Sequence, residues 1–264
     1  MAPEYSRRTT FDKIAADYDQ VRPGYPAESV EDVISMAALP ETGRILEIGC
    51  GTGQATIAFA RRGFSMTCLD VGQELAARAA RNCRKYPNVQ VLCKSFEDWR
   101  PAGKTFDLVM SASAFHWVPP EIGYPKAARV LGKVGSVALL SNLHPLPYTG
   151  FFHEVQTVYR KFVPEWRDTI EGPTPEEAIP LTQAHIAETG LFGPASIRVY
   201  AWARLFCRDD YLRLLNTYSD HRALADEQRT RLFAAIGDLI DSQYGGEVTR
   251  PYLTVLHIAR KKEI

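Results

Sequence analysis

The chain has 264 residues, 45% of them hydrophobic, which is enough for one large domain or for one domain with an inserted cap. Lysine and arginine number 31, and aspartate and glutamate also number 31, so no net charge attracts phosphate backbones or anionic lipid. We therefore expect one α/β domain plus a cap, without a nucleic-acid or membrane partner.

Cysteine usage and the amino-terminal residues bear on the cellular compartment. The five cysteines are odd in number, and none form a C-x-x-C pair with the spacing of metal ligands. Residues 1–20 alternate charged and apolar side chains, and no stretch approaches the roughly 18 apolar residues that cross a bilayer. These features predict a cytoplasmic protein with reduced thiols and no metal site.

Two helices are predicted before the first strand. Apolar residues recur at helical spacing from Phe11 to Tyr18, and the pattern ends near Pro23, because a proline cannot continue a helix. A second helical pattern covers 30–37.

From residue 44 onward, short apolar runs alternate with helical patterns. The runs that predict strands are 45–48, 64–69, 89–92, 106–110 and 134–140. Such alternation predicts a parallel sheet with helices on both faces, and we take 40–142 as its core.

The alternation stops after residue 142, where prolines become frequent. We predict cap insertions at 143–180 and 208–244 and a final strand within 245–264. The individual elements predicted here are helices at 151–162, 176–189, 208–218 and about 232–240, and strands at 196–207 and 252–259. The fold class is therefore α/β, with a doubly wound, mostly parallel sheet of seven strands.

The residues around Gly49 combine a predicted strand, a glycine-rich turn and the start of a helix near Gly53. Glycines permit positive φ angles and let a ligand approach the backbone closely. A dinucleotide fingerprint places its third glycine three residues after the second, where this chain has Gln54. Glu47 would repel a pyrophosphate, whereas it could orient the turn around a cationic amino-acid ligand or pair with its ammonium. The turn therefore favours a cationic ligand.

Three further segments lie at predicted strand ends. Asp70 ends the second strand, where doubly wound folds place an acid against ribose hydroxyls, although it could simply begin a helix. Residues 94–99 follow the third strand and suit an adenine wall, although an aromatic there could also be core. Ligands lie beyond the carboxyl ends of strands in such sheets, so 111–117, including His116, should face the site.

The order of these motifs resembles the class I S-adenosylmethionine-dependent methyltransferases over about residues 40 to 142. The motifs are Glu47-x-Gly49-x-Gly51-x-Gly53, Asp70, Phe106-Asp107-Leu108-Val109 and Val130-Leu131-Gly132-Lys133-Val134-Gly135. Many relatives have proline-glycine where this chain has Val134-Gly135, a departure that affects only a turn.

The amino-terminal pattern that runs from Phe11 to Pro26, together with His116-Trp117, resembles a narrower group of small-molecule enzymes that includes the trans-aconitate methyltransferases. In that group the amino-terminal helix and the loop after it close over the cofactor. The resemblance makes 1–39 a candidate lid. The alternative is a helix that only packs on the sheet.

The resemblance implies S-adenosylmethionine as cofactor and S-adenosylhomocysteine as product. The residues expected at the cofactor are Tyr18, Arg22, Glu47, Gly49, Cys50, Gly51, Gly53, Gln54, Asp70, Val71, Ser95, Phe96, Glu97, Ser111 and Ala112. The residues expected at the substrate are Tyr25, His116, Trp117, Asn142 and Trp202. His116 is the candidate catalytic base, a role that a carboxylate acceptor would not require.

The predicted activity is methylation of a small molecule, at the oxygen of a carboxylate or a hydroxyl, by a monomer or homodimer. A nicotinamide-dependent oxidoreductase is the alternative enzyme. A cofactor-binding module that has lost turnover is the non-enzymatic alternative, since the fold alone does not exclude it.

Overall fold

The computed structural model describes residues 12–166 and 174–263. A seven-stranded sheet in the order β3-β2-β1-β4-β5-β7-β6 forms the centre of this part of the chain. The strands are β1 (Arg44–Ile48), β2 (Ser65–Asp70), β3 (Val89–Cys93), β4 (Phe106–Ala112), β5 (Leu131–Leu143), β6 (Ser196–Cys207) and β7 (Glu247–Arg260). Neighbouring strands pair in parallel except at β7, which is antiparallel to both β5 and β6. The predicted fold class is confirmed.

Ten α-helices lie among the described residues. They are α1 (Ala15–Val21), α2 (Ala27–Met36), α3 (Thr56–Ala60), α4 (Gln73–Asn82), α5 (Pro120–Val130), α6 (Phe151–Phe162), α7 (Pro175–Glu188), α8 (Arg208–Asn216), α9 (Ser219–Ala223) and α10 (Asp226–Gln243). No helix of the described chain is apolar over a length that could cross a bilayer.

All the predicted elements are present. Some strands begin or end at other residues than predicted, because polar residues continue them. β5 extends past residue 140 because its last residues, including Asn142, pair with residues 253–255 in the middle of β7. β7 begins at Glu247, before the predicted 252, because its polar start pairs with the end of β6. The first helix after the glycine turn begins at Thr56 instead of near Gly53, because a run of turns intervenes.

Parts of two predicted segments lie outside the described residues. They are residues 1–11 of the predicted lid, which include Phe11, and residues 167–173 of the first predicted insertion. α7 continues across residue 180, where the first insertion was expected to end, and His257 of β7 lies 3.1 Å from the carbonyl oxygen of Ile179. The domain boundaries remain predictions.

Apolar residues form three clusters that account for this architecture. One cluster fills each face of the sheet, around Leu46 and Val109 on one side and around Ile45 and Leu108 on the other. A strand buried on both faces is apolar without alternation, as β1 is. The third cluster joins α6, α8 and α10 and includes several of the cap aromatics. The cap therefore has its own core, which extends to β7 through Tyr252.

The parallel strands bring their carboxyl ends to one edge of the sheet. β1, β2, β3, β4 and β5 end there, and β7 begins there because it runs in the opposite direction. In open α/β sheets this edge holds the ligand.

Candidate active site

The glycine turn connects β1 to α3 at the carboxyl edge. Its backbone is tied to the neighbouring strand, because the amides of Gly49 and Cys50 both donate to the carbonyl of Leu69, at 2.8 and 3.0 Å. Gly49, Gly51 and Gly53 have φ angles of +70°, +57° and +96°, which side chains rarely adopt. A Cβ on Gly49 would lie 2.3 Å from the Cβ of Ala114. The turn therefore requires glycine for both conformation and space.

Asp70, at the end of β2, joins this turn to the start of α4. Its carboxylate accepts hydrogen bonds from the amide of Gly51 at 2.8 Å and from that of Gly72 at 2.9 Å. The side chain is 8% exposed, and burial raises its pKa to about 6 although both hydrogen bonds oppose the rise. Val71 follows on the same edge and is half-buried. The structure thus places the predicted ribose-binding acid beside the glycine turn.

Glu47 lies beneath the turn, enclosed by protein. It is 1% exposed, and its carboxylate accepts a hydrogen bond of 2.5 Å from the hydroxyl of Thr56 in α3. Burial raises its pKa to about 7, and hydrogen bonds from Thr56 and Cys68 oppose that rise. Because its side chain does not reach the open edge, Glu47 could act on a ligand only through the turn and through its charge.

Replacing Glu47 with glutamine is expected to stabilise the ligand-free chain at neutral and higher pH. The ordinary pKa is 4.5 and the folded value about 7, so ionisation costs the folded state free energy as pH rises between these values. The full cost above that window is about 3 kcal/mol. Glutamine removes this cost and keeps an oxygen for Thr56.

Urea unfolding of both proteins at about pH 4.5 and about pH 8 tests this expectation. The gain from Glu47→Gln should be small at the lower pH and largest at the higher one. An equal effect at both pH values would show that the charge of Glu47 does not oppose folding.

The loop after β3 is held by a lysine that the sequence did not single out. The ammonium of Lys126, in α5, contacts the carbonyl oxygens of Phe96, Glu97 and Trp99, the last two at 2.9 and 2.6 Å. The ring of Phe96 is 2% exposed and packs in the core, so only its backbone faces the edge. Ser95 bonds to Asp98 at 2.7 Å. Any adenine contact from this loop therefore comes from the backbone, Ser95 or Glu97.

The amino-terminal segment lies across the glycine turn and α4. A Cβ on Gly51 would lie 3.4 Å from the ring of Tyr18 in α1. Asp12 accepts hydrogen bonds from the amides of Glu74 and Leu75, at 2.6 and 3.2 Å, at the start of α4. Residues 12–21 thus lie over the carboxyl edge of the sheet, at the position expected of a lid. Their opening and closing remains a prediction.

Arg22, which follows α1, lies between the lid and the cap. Its guanidinium lies 4.9 Å from the centre of the Tyr18 ring and 4.6 Å from that of Tyr218, and it donates to the carbonyl of Thr217. It therefore joins the residues over the glycine turn to the cap helices.

The tip of β4 contributes a strained residue that the sequence did not reveal. Ser113 has a φ of +56°, and its hydroxyl accepts hydrogen bonds from the hydroxyl of Tyr25 at 2.9 Å and the amide of Asn142 at 3.3 Å. Non-glycine residues in this conformation concentrate at functional sites. Ser111, by contrast, is buried and donates to the carbonyl of Ile48 at 2.7 Å.

Two predicted substrate residues belong to the same network. The amide group of Asn142 donates to the carbonyl of Gly24 at 3.1 Å and accepts from Thr254 at 2.5 Å. The indole of Trp202 donates to the same Thr254 hydroxyl at 2.8 Å. These side chains therefore connect the loop between α1 and α2 with β5, β6 and β7, next to Ser113.

His116 occupies a short turn just after β4, beside Trp117. Its ring is accessible to solvent, but protein atoms surround much of it, and this desolvation lowers its pKa to about 4, with a further contribution from Arg22. The ring centres of His116 and Trp117 are 4.9 Å apart. His116 is therefore neutral at pH 7, with an unprotonated ring nitrogen that is a weaker base than an ordinary imidazole.

The remaining predicted residues lie at the glycine turn and at the end of β4. Cys50 is buried, Gln54 donates to the hydroxyl of Thr52 at 2.7 Å, and Ala112 is half-buried. The predicted cofactor residues thus lie along the tips of β1 to β4, and the substrate residues along those of β4 to β7.

The residues at this edge fit S-adenosylmethionine. Glu47 and Asp70 are buried acids whose pKa values are raised mainly by desolvation, so a cationic ligand nearby would favour their charged forms. A ligand with a sulfonium and an ammonium supplies positive charge, whereas a pyrophosphate would add to the repulsion. The three left-handed glycines provide the close backbone approach.

Comparison with known proteins identifies the family. Residues 45–135, from β1 into β5, match a family model described as a methyltransferase domain. The chain belongs to the S-adenosylmethionine-dependent methyltransferases. The nicotinamide-dependent alternative is therefore set aside.

Relatives of this methyltransferase have been found in several organisms. An uncharacterized methyltransferase of Mycobacterium tuberculosis is 27% identical over 201 residues, which are 75% of this chain and 77% of that protein. A trans-aconitate 2-methyltransferase of Mycobacterium tuberculosis is 33% identical over 90 residues, 33% of this chain and 32% of that one. The solved structure of a cyclopropane synthase from the same species superimposes with a TM-score of 0.56 at 16% identity, covering 97% of this chain and 98% of that chain, which shows the fold alone.

Proposed function

We propose that this methyltransferase transfers the methyl group of S-adenosylmethionine to an oxygen of a small molecule, either a carboxylate or a hydroxyl. The observation that carries the proposal is the arrangement at the tip of β4. A neutral His116 and the Tyr25–Ser113 pair lie there, one strand away from the glycine turn. A relative named as a trans-aconitate 2-methyltransferase supports a carboxylate acceptor.

The position of each cofactor-binding residue sets the direction of the bound molecule. Asp70 at β2 would accept hydrogen bonds from ribose hydroxyls, and the loop after β3 would contact the adenine through its backbone. The glycine turn at β1 would hold the amino-acid part. S-adenosylmethionine supplies an electrophilic methyl group on its sulfonium. Because the adenosine occupies the β2 and β3 side, the opposite end of the site, toward β4, is left for the acceptor.

The contribution of the chain to the reaction is alignment and exclusion of water. Tyr18 lies over the glycine turn, and Asp12 holds the segment before it against α4. Holding two reactants in line can lower a barrier by several kcal/mol. A carboxylate oxygen needs no base, whereas a hydroxyl must lose its proton, and His116 can accept that proton.

His116→Gln is expected to separate these two acceptor classes. With a hydroxyl acceptor, kcat should fall about 100-fold, the usual loss when a general base is removed. With a carboxylate acceptor, kcat should change less than about threefold, because no proton is transferred. Initial rates of methyl transfer at constant S-adenosylmethionine measure both. A large loss with a carboxylate acceptor would indicate that His116 positions the substrate and is not a base.

Transfer of a radiolabelled methyl group tests the proposal itself. Small carboxylic and phenolic acids are incubated with the chain and labelled S-adenosylmethionine, and base-labile ester products are separated from stable ethers. Label in an oxygen-linked product supports the proposal and excludes the non-catalytic module. Label found only on a nitrogen, carbon or sulfur atom would contradict it.

We also propose that the chain acts as a monomer or homodimer in the cytoplasm. Sedimentation of the purified protein tests the first point, and fractionation of cells tests the second. A larger assembly or a membrane-associated fraction would contradict these proposals.

A further inference from the structure

We infer that Lys126 is a positioning residue for the adenine ring of S-adenosylmethionine. It sets the direction of the peptide groups in the loop after β3, and thereby the selectivity of the site for adenine. The inference rests on the proposed function, because it takes the binding direction given there, with the adenine beside this loop. Lys126 lies in α5 and acts through the loop.

The ammonium of Lys126 is fully occupied by the backbone of this loop. It donates to the carbonyl oxygens of Phe96, Glu97 and Trp99, and the bonds to the last two measure 2.9 and 2.6 Å. An ammonium has three protons to donate, so these bonds use all of them. Lys126 is 9% exposed, and burial lowers its pKa. A buried charge that binds only the carbonyls of one loop serves the conformation of that loop.

Carbonyls that converge on one ammonium fix the direction of their peptide groups. The C=O and the following N–H of a trans peptide point in opposite directions, so the amides of Glu97, Asp98 and Arg100 point away from Lys126. The amide of Asp98 accordingly donates to the hydroxyl of Ser95, at 3.1 Å. The direction in which these polar backbone groups face therefore depends on the ammonium.

The aromatic side chains of the loop do not supply this orientation. The rings of Phe96 and Trp99 are 2% and 6% exposed and pack in the core, which fixes where the loop lies. Apolar burial has no preferred direction, whereas a hydrogen bond does. Lys126 therefore orients the peptide groups of a loop that its rings have already located.

α5 also packs against the turn that carries His116. The ring of Tyr124 in α5 lies edge-on to that of Phe115, at 4.9 Å between ring centres. A Cβ on Gly123 would lie 3.0 Å from the Phe115 ring, so the helix and the turn are closely packed. Lys126 thus ties the loop after β3 to the helix that supports the end of the site proposed for the acceptor.

Selectivity between two bases measures how firmly the loop is oriented. Adenine presents a donor, its exocyclic amino group, beside an acceptor, its ring N1 atom. Hypoxanthine carries a carbonyl in place of the amino group and a proton on N1, so both roles are reversed. Polar groups held in one direction reject the reversed pattern, because the wrong base leaves them without partners. A loop whose peptide groups can rotate adapts to either base.

The test compares S-adenosylhomocysteine with S-inosylhomocysteine, which carries hypoxanthine in place of adenine. Calorimetric titrations give both dissociation constants for the original sequence, Lys126→Met and two controls. Arg100→Met is the matched control, because Arg100 is exposed and also donates to the carbonyls of Glu97 and Trp99, at 2.9 and 3.2 Å. Ala128→Gly weakens the same helix without removing a polar group. Thermal unfolding reports whether each variant is folded.

The original sequence should bind S-adenosylhomocysteine at least about tenfold more tightly than the inosyl ligand. Lys126→Met should reduce this ratio to less than about threefold, and both controls should keep it within about twofold of the original. Loss of folded protein weakens both ligands equally, so a lysine with a purely structural role would leave the ratio unchanged. If Lys126→Met does not fold, Lys126→Gln decides, with an intermediate ratio expected because its amide retains two donors.

Two results would overturn the role of Lys126 while leaving the proposed function intact. One is equal affinity of the original sequence for the two ligands, and the other is a ratio that Lys126→Met leaves unchanged. Binding of neither ligand would contradict both the role of Lys126 and the proposed function. Methyl transfer only to nitrogen, together with an adenine preference that requires Lys126, would contradict the proposed function alone.

Discussion

Asp70→Ala is expected to weaken binding of S-adenosylhomocysteine about 100-fold. A hydrogen bond to a charged acceptor contributes roughly 1.5 to 3 kcal/mol, and in the proposed binding mode the carboxylate would accept from the ribose hydroxyls, so the expected loss is about 3 kcal/mol. The same substitution frees the amides of Gly51 and Gly72, which loosens the turn and the start of α4. Isothermal titration calorimetry at about pH 7.5 measures the dissociation constant.

Asp107→Ala is the matched control for this substitution. Asp107 accepts a hydrogen bond of 2.7 Å from the amide of Arg44, at the opposite edge of the sheet. Both substitutions remove a carboxylate that accepts from backbone amides, two at Asp70 and one at Asp107, and only Asp70→Ala should change ligand affinity. Equal affinities for the two variants would contradict a ribose contact at Asp70.

Gly49→Ala is expected to lower the free energy of unfolding by about 3 kcal/mol, because a positive φ and overpacking each add strain. The new methyl group would lie 2.3 Å from the Cβ of Ala114, so the glycine turn or the tip of β4 must move. Since both segments line the cofactor edge, affinity for S-adenosylhomocysteine should fall at least about 30-fold, in keeping with the sensitivity of sites to small displacements.

Two further variants separate the clash from the backbone conformation. Gly63 has a φ of +88° and open space around it, so Gly63→Ala should cost only about 1 kcal/mol. Adding Ala114→Gly to Gly49→Ala removes the clashing atom and should restore most of the lost affinity. If the double variant binds no better than Gly49→Ala, contact with Ala114 is not the cause. Urea unfolding and calorimetry provide both measurements.

The sequence alone predicts those features whose residues lie close together along the chain. Three glycines, a preceding acid and a second acid at the next strand end lie within a short stretch, and strand ends meet at one edge in a parallel sheet. The turn and Asp70 could therefore be predicted, as could a doubly wound, mostly parallel sheet of seven strands. The seven strands were recognisable because each carries an apolar run.

Other features depend on contacts between distant residues and left no local signal. Lys126 occurs in an ordinary helical pattern, and nothing near it in sequence shows that its ammonium binds carbonyls of the loop after β3. Ser113 adopts a positive φ, which serine rarely does, so the sequence does not predict it. The first residues of β7, 247–251, precede the predicted strand start and are mostly polar, so their pairing with β6 is not evident from the sequence.

Side-chain direction was the second feature in which the structure differs from the sequence-based expectation. Phe96 follows β3 as expected, but its ring packs in the core, where Lys126 lies 5.0 Å from its centre. Glu47 lies next to the turn as expected, but its carboxylate binds Thr56 in α3. In both cases the pattern predicted the position of the backbone, and tertiary packing decided where the side chain points.

Calorimetric titration of the purified chain with S-adenosylmethionine, S-adenosylhomocysteine and NAD tests the central claim most directly. The predicted result is binding of both adenosyl ligands with micromolar dissociation constants, no measurable binding of NAD, and weaker adenosyl binding in Asp70→Ala. Binding of NAD alone, or adenosyl binding that Asp70→Ala and Gly49→Ala leave unchanged, would contradict a cofactor site at the glycine turn.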